Sequence, residues 1–250
     1  MTNKSNKLKR FSKFLLKGLV RGALLAGAAL LVLESPQIHH NYIINKVGPS
    51  VVMITNVDAN SGGTGFAVKA PSGKNYILTN AHICVGVQRP LIVTFKDNRK
   101  VPLRIVEVSK DTDLCLIEPV GNLEGLSLAD SLEIGQNIAI VGHPALMDIT
   151  LAKGELIQKM DIAIPVPESL CETSKEIGGP FVEVDNPFFP CVGFIKGVGQ
   201  TNAVIIGGSS GSPVINFFGN LVGVAFAGRG DTNWALIIPL SHVEQFLKPY

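Results

Sequence analysis

Charge is scarce in this sequence of 250 residues: Asp, Glu, Lys and Arg make up 17% of it, against 46% for hydrophobic residues. That balance excludes a disordered chain, which needs low hydrophobicity and high net charge. Acids are missing altogether from residues 1–33, which carry Lys4, Lys7, Lys9, Arg10, Lys13, Lys17 and Arg21. The remainder holds 15 basic against 20 acidic residues, and a mildly acidic body argues against nucleic acid as a partner. A long apolar run is also lacking. Leu15–Leu33 is broken by Lys17 and Arg21, and the uninterrupted part, Gly22–Leu33, is 12 residues. That is nearer a signal-peptide core than a full membrane span of about 20 residues. The four cysteines, Cys84, Cys115, Cys171 and Cys191, form no CxxC and no His/Cys cluster at metal spacing, so no metal site is expected.

Residues 1–36 read as a basic arm followed by an apolar segment. An uncleaved anchor is favoured, because no convincing cleavage site follows the apolar run. The positive-inside rule then keeps the arm in the cytosol and places the body across the membrane. A cleaved signal of a secreted protein and an organellar presequence are the alternatives. Residues 34–50 read as a linker, with His39 and His40 as solvated histidines.

What is abundant is the punctuation of short strands: 26 Gly and 15 Pro, spread along the chain. Six apolar or alternating segments, at 51–55, 65–68, 76–79, 91–95, 103–106 and 114–117, are separated by turn residues. A second set follows at 137–141, 151–158, 181–184, 192–195, 203–206, 214–216, 221–226 and 234–238. Strands at this spacing predict barrels or sandwiches. Residues 160–191, with five Pro, predict a long loop, and 241–247 a final helix with Ser241 as N-cap. Cys84 and Cys115 sit in apolar runs and are expected to be buried thiols. Cys171 and Cys191 flank the Pro-rich stretch and could pair in an oxidising compartment.

Three segments carry chemistry. Gly207-Gly208-Ser209-Ser210-Gly211-Ser212-Pro213 predicts a tight turn between strand-like runs. Such a turn can raise the Ser210 hydroxyl and aim the Gly208 and Ser210 N–H groups at one point, where an acyl transfer develops negative charge. His82 closes Tyr76-Ile77-Leu78-Thr79-Asn80-Ala81-His82, at the end of a strand. Asp113 precedes the strand Leu114-Cys115-Leu116-Ile117. Each alone has a bland reading as a core histidine, a turn acid or a Gly/Ser loop; together they have the His, Asp, Ser chain order of trypsin-like peptidases.

On these residues, with Thr64-Gly65-Phe66, Ile134-Gly135-Gln136, Val141-Gly142-His143-Pro144 and the run Gln200–Pro213, the sequence resembles trypsin-like serine peptidases of the HtrA/Deg type over about residues 45–247. The resemblance implies an all-β fold of two six-stranded antiparallel barrels, one over about 46–126 and one over about 134–240, within a peptidase domain spanning 37–250. It implies His82 as general base, Asp113 as its orienter, Ser210 as nucleophile, and Gly208 and Ser210 N–H as oxyanion hole, with no cofactor. By alignment, Val204 and Ile205 would form the base of the substrate pocket and Phe226, Ala227 and Gly228 its wall. A polypeptide cut after small or medium apolar residues is the expected substrate. A homo-oligomer is possible in this family, and the PDZ domain of many relatives is expected to be absent. Three features depart from the family, one of them Gly207 where Pro is frequent. Ser209 stands where Asn or Asp is usual, which removes trypsin-like zymogen activation, and Ser212 stands where Gly is usual. The alternatives are a catalytically silent peptide-binding module of the same fold and a viral or phage-type processing peptidase.

Overall fold

The computed structural model describes residues 35–109, 111–121, 123–129, 131–165, 182–183, 191–229 and 234–250. The expected anchor, Cys171 and most of the Pro-rich stretch lie outside the described residues. Two compact units divide the chain, Met1–Ile43 and Ile44–Tyr250. Among the described residues no helix is long and apolar enough to cross a membrane.

Where a linker was expected, a helix forms: α1, Pro36–Val47, followed by a 3-10 turn over Gly48–Ser50. Pro at the first helical position is pre-set for the helical φ and has no N–H to waste. The polar run His39-His40-Asn41 hides the helical period in the sequence. His39 is buried, not solvated, and stacks with Tyr42 at 6.4 Å between ring centroids.

The larger unit opens with β1 (Val51–Asn56), β2 (Ser61–Lys69), β3 (Asn75–Thr79), the one-turn helix α2 (Ala81–Cys84), β4 (Leu91–Thr94), β5 (Lys100–Leu103), β6 (Ile105–Val108) and β7 (Cys115–Ile117). The antiparallel order is β5-β4-β1-β2-β3-β7-β6. Its two edges, β5 and β6, are consecutive in the chain with only Arg104 between them, so one bent strand closes the ring. Inward alternation fills it with Val52, Ile54, Ala67, Ile77, Val93 and Ile117.

The second half holds β8 (Asn137–Gly142), β9 (Thr150–Pro165), β10 (Val182–Glu183), β11 (Cys191–Thr201), β12 (Pro213–Ile215), β13 (Leu221–Arg229), β14 (Trp234–Pro239) and α3 (Leu240–Leu247). The order β10-β11-β14-β13-β12-β8-β9 closes through an extra β11–β9 pairing. Its core is separate, built from Ile138, Ile140, Leu156, Val214, Val222 and Ile237. Two closed rings with two cores are the double barrel expected from the sequence. The connector is stitched to both: Leu126 N–H donates to Ala67 O and Ala129 N–H to Leu221 O, each at 2.9 Å.

Some boundaries differ from expectation. β9 runs through 165, well past 158, because its long antiparallel register with β11 supplies partners for the extra residues. Ala203–Ile206 is not a strand. Ala203 and Ile205 point into the core while Val204 and Ile206 are about half exposed, so the alternation is real, but no strand among the described residues pairs with it. Ser241 is not the helix cap: α3 begins at Leu240 with Pro239 as N-cap and no side-chain capping bond.

Candidate active site

Sheet register brings His82 and Asp113 together. β3 and β7 pair antiparallel as Ile77↔Ile117, Leu78↔Leu116 and Thr79↔Cys115. Continuing that register past the strand ends sets Asn80–His82 beside Thr112–Leu114. Asn80 Nδ2 donates to the Asp113 carbonyl at 2.8 Å. Both Asp113 carboxylate oxygens serve His82: Oδ1 accepts the backbone N–H at 2.9 Å and Oδ2 lies 2.7 Å from Nδ1. A carboxylate only accepts, so this contact holds the proton on Nδ1 and leaves Nε2 as the basic nitrogen. The Asp113 side chain is 12% exposed and that of His82 49%. The anion is therefore shielded while the imidazole is reachable.

Two residues beyond each partner, Cys84 and Cys115 are joined by a disulfide with Cα atoms 6.6 Å apart. This corrects the expectation of buried thiols. Both residues are buried as expected, but α2 turns the chain so that Cys84 comes back onto the end of β7. Cys191 is also disulfide-bonded.

Ser210 sits on its turn, half-buried, and makes no hydrogen bond to His82 in this structure. Backbone bonds fix the turn: Ser209 N–H donates to Ile206 O at 3.0 Å, Gly211 N–H to Ala225 O at 2.8 Å and Ser212 N–H to Ser209 O at 3.1 Å. Barrel one holds it too, through Thr64 N–H on Ser210 O at 2.8 Å. That approach requires glycine at 63, where a Cβ would stand 2.8 Å from Ser210 O and 2.3 Å from Ile83 Cδ1. One glycine of β2 thus touches both the serine turn and the residue next to His82.

At Gly208 φ is +91°, and a Cβ there would fall 2.5 Å from His143 O. Only glycine fits that combination. The Gly207 carbonyl accepts Ala145 N–H at 2.6 Å. In a trans peptide the N–H opposes the C=O, so Gly208 N–H points away from Ala145. Among the described residues, neither Gly208 N–H nor Ser210 N–H has a protein acceptor.

The residues expected to form the substrate pocket lie on the stretch before the serine turn and on β13. Ile205 is 5% exposed and belongs to the second core. A Cβ on Gly228 would lie 2.5 Å from its Cγ1, so these two meet. Val204 and Ile205 line one cavity, together with Ile140, Pro144, Thr150 and Ser209. Phe226 is buried, Ala227 half-buried and Gly228 exposed.

Two participants escaped the sequence reading although their motifs were legible. One is the Thr64 hydroxyl. The other is the loop His143–Met147, which touches the turn through Ala145. In that loop His143 Nδ1–H donates to Met147 O at 2.8 Å. Burial lowers its pKa below the ordinary 6.5, against the raising effects of that bond and of Asp148.

A chymotrypsin-like double barrel carrying a carboxylate-held histidine and a serine on a glycine turn defines a serine-peptidase domain. Comparison agrees: the family model for the trypsin-like peptidase domain matches residues 63–224, and the chain belongs to that family. It is 26% identical over 199 residues to a protein of Halomonas elongata named probable periplasmic serine endoprotease DegP-like, covering 76% of this chain and 35% of that protein. It is 25% identical over 207 residues to the serine protease Do-like HtrA of Bacillus subtilis, covering 73% and 41%. The chain therefore spans well under half the length of these curated relatives. Among solved structures, the active form of the Rv3671c protease from M. tuberculosis superposes with a TM-score of 0.66 at 20% identity, covering 84% of this chain and 85% of that one. The latter likeness supports the fold.

Proposed function

We propose that this chain is a serine endopeptidase in which His82, Asp113 and Ser210 act as the triad and the Gly208 and Ser210 N–H groups as the oxyanion hole. The observation that carries the reading is the two-pronged grip of Asp113 on His82, which fixes the tautomer needed for base catalysis. His82 Nε2 takes the Ser210 proton as Oγ attacks the scissile carbonyl. The tetrahedral oxyanion is met by two N–H groups that have no other acceptor. His82 then gives the proton to the leaving amine, and water repeats the sequence on the acyl-enzyme. Approach of His82 to Ser210 within hydrogen-bond distance belongs to the substrate-bound state, since such bonds are often long without ligand.

Ile205 packed against Gly228 leaves little depth where the substrate side chain would enter, and among the described residues no acid lines the cavity at Val204 and Ile205 to pair a Lys or Arg. Small or medium apolar residues before the scissile bond fit best. The placement of the domain outside the cytosol is supported by the Cys84–Cys115 disulfide, which persists in oxidising compartments, and by the basic N-terminal arm as a membrane anchor.

A fluorophosphonate probe and a peptide library test the reading together. Covalent labelling that maps to Ser210 and is lost in Ser210→Ala, with cleavage after small or medium apolar residues such as Ala or Val, is expected. A folded protein that is never labelled supports the silent binding module, and cleavage dominated by Arg or Lys overturns the pocket assignment.

A further inference from the structure

Thr64 is fully buried in β2, and all of its polar atoms are engaged. Its N–H donates to Ser210 O at 2.8 Å and its carbonyl accepts Thr79 Oγ1–H at 2.7 Å. Its hydroxyl is used in both senses: it donates to Gly208 O at 2.8 Å and accepts His143 N–H at 2.9 Å. One barrel-one side chain therefore ties the Gly208–Ser210 turn to the loop that begins at His143.

That loop is the second holder of Gly208, through Ala145 N–H on Gly207 O. The carbonyls on either side of Gly208 are thus each fixed, one by Ala145 and one by Thr64. Rotating the Gly207–Gly208 peptide, which would turn its N–H out of the oxyanion hole, breaks the first bond. Letting Gly208 follow breaks the second. The loop itself holds Ala145 and Leu146 at φ of +52° and +55°, a region side chains avoid, so it needs outside anchoring. Ser209, buried and uncharged, offers no ion pair to set the turn.

We propose that Thr64 is the positioning residue that locks the oxyanion loop, doing by hydrogen bonds what a buried ion pair at position 209 would otherwise do. The inference rests on the peptidase reading above. It predicts that the hydroxyl matters for the transition state and not for substrate binding, because Thr64 touches neither the substrate nor the reacting atoms.

The test compares Thr64→Val, which keeps the shape and removes the hydroxyl, with Thr64→Ser, which keeps the hydroxyl, in the full chain. Removing a direct oxyanion donor costs roughly 100- to 1,000-fold in kcat, so an indirect lock is expected to cost about 10- to 100-fold. In Thr64→Val, kcat falls by that factor with KM within about twofold, and a peptide boronic acid loses affinity in parallel. Thr64→Ser restores most of both. Equal loss in Val and Ser variants, or a kcat within about twofold of wild type in Thr64→Val, overturns the proposal. Should Thr64→Val fail to fold, Thr64→Ala removes the same hydroxyl with less volume to seat. Crystal structures supply a readout independent of activity. In the hydroxyl-less variant the Gly207–Gly208 peptide is expected to leave Ala145 N–H; an unmoved peptide overturns the lock even if the protein proves not to be a peptidase.

Discussion

The two halves of the site are held by different means. In barrel one, His82 and Asp113 lie on segments joined by sheet register, by two hydrogen bonds to one carboxylate and by a buried disulfide two residues beyond each partner. In barrel two, no described disulfide touches the turn bearing Ser210. It is held by backbone bonds and by one hydroxyl from the other barrel. The His82–Asp113 pair is therefore held through the loss of any single weak contact. The turn bearing Ser210 depends on a few hydrogen bonds, each adding about 1 kcal/mol net.

The comparison is broken most severely at Asp113. Asp113→Asn preserves the shape but offers Nδ1 an amide in place of a carboxylate oxygen, and kcat should fall about 10⁴-fold with the fold intact. Steady-state kinetics beside a thermal melt check this, and a loss under about tenfold would mean the pair does not act as base and orienter.

Next comes the disulfide. Replacing both Cys84 and Cys115 with Ala removes a cross-link over a sequence separation of 31. Chain entropy puts the cost at about 3–4 kcal/mol, roughly a 10 °C fall in Tm for a domain of this size. Well below that Tm the variant should keep most of its kcat, because the register and the hydrogen bonds remain. Thr64→Val should show the reverse weighting, with kcat lost about 10- to 100-fold and a fall in Tm smaller than that of the disulfide variant. If both substitutions act on Tm alone, the division of labour between the halves fails.

The smallest effect concerns His143, beside the oxyanion loop. Its pKa is lowered by burial, so the unfolded chain takes up its proton first as pH falls. The stability it contributes is complete above 6.5 and is lost below that value as pH drops toward the folded pKa. His143→Asn keeps a donor for Met147 O and cannot titrate. Between about pH 7.5 and about pH 5, the wild type should lose more Tm than this variant. Parallel losses would show that the ring is not buried in solution.

How much of this was legible in the sequence depends on the distance over which each feature is determined. The two barrels follow from local alternation and turn residues, and His82, Asp113 and Ser210 from short motifs in chain order. The disulfide was not legible, because a cysteine in an apolar run such as Leu114-Cys115-Leu116 reads as a buried thiol until register brings another beside it. Nor was the role of Thr64. Its motif was plain, but the hydroxyl's partners lie 79 and 144 residues away, and only the docking of one barrel on the other brings them together. Val204 and Ile206 misled for the opposite reason. Their local pattern is that of a strand, but no strand among the described residues pairs with it.

The most direct measurement is a crystal structure of the full chain with a peptide boronic acid bound. The account predicts boron bonded to Ser210 Oγ, His82 Nε2 within hydrogen-bond distance of the adduct while Nδ1 stays on Asp113, and one boronate oxygen on the Gly208 and Ser210 N–H groups. An inhibitor seated elsewhere, or an adduct on Ser210 with His82 out of reach and the Gly208 N–H turned away, would contradict it.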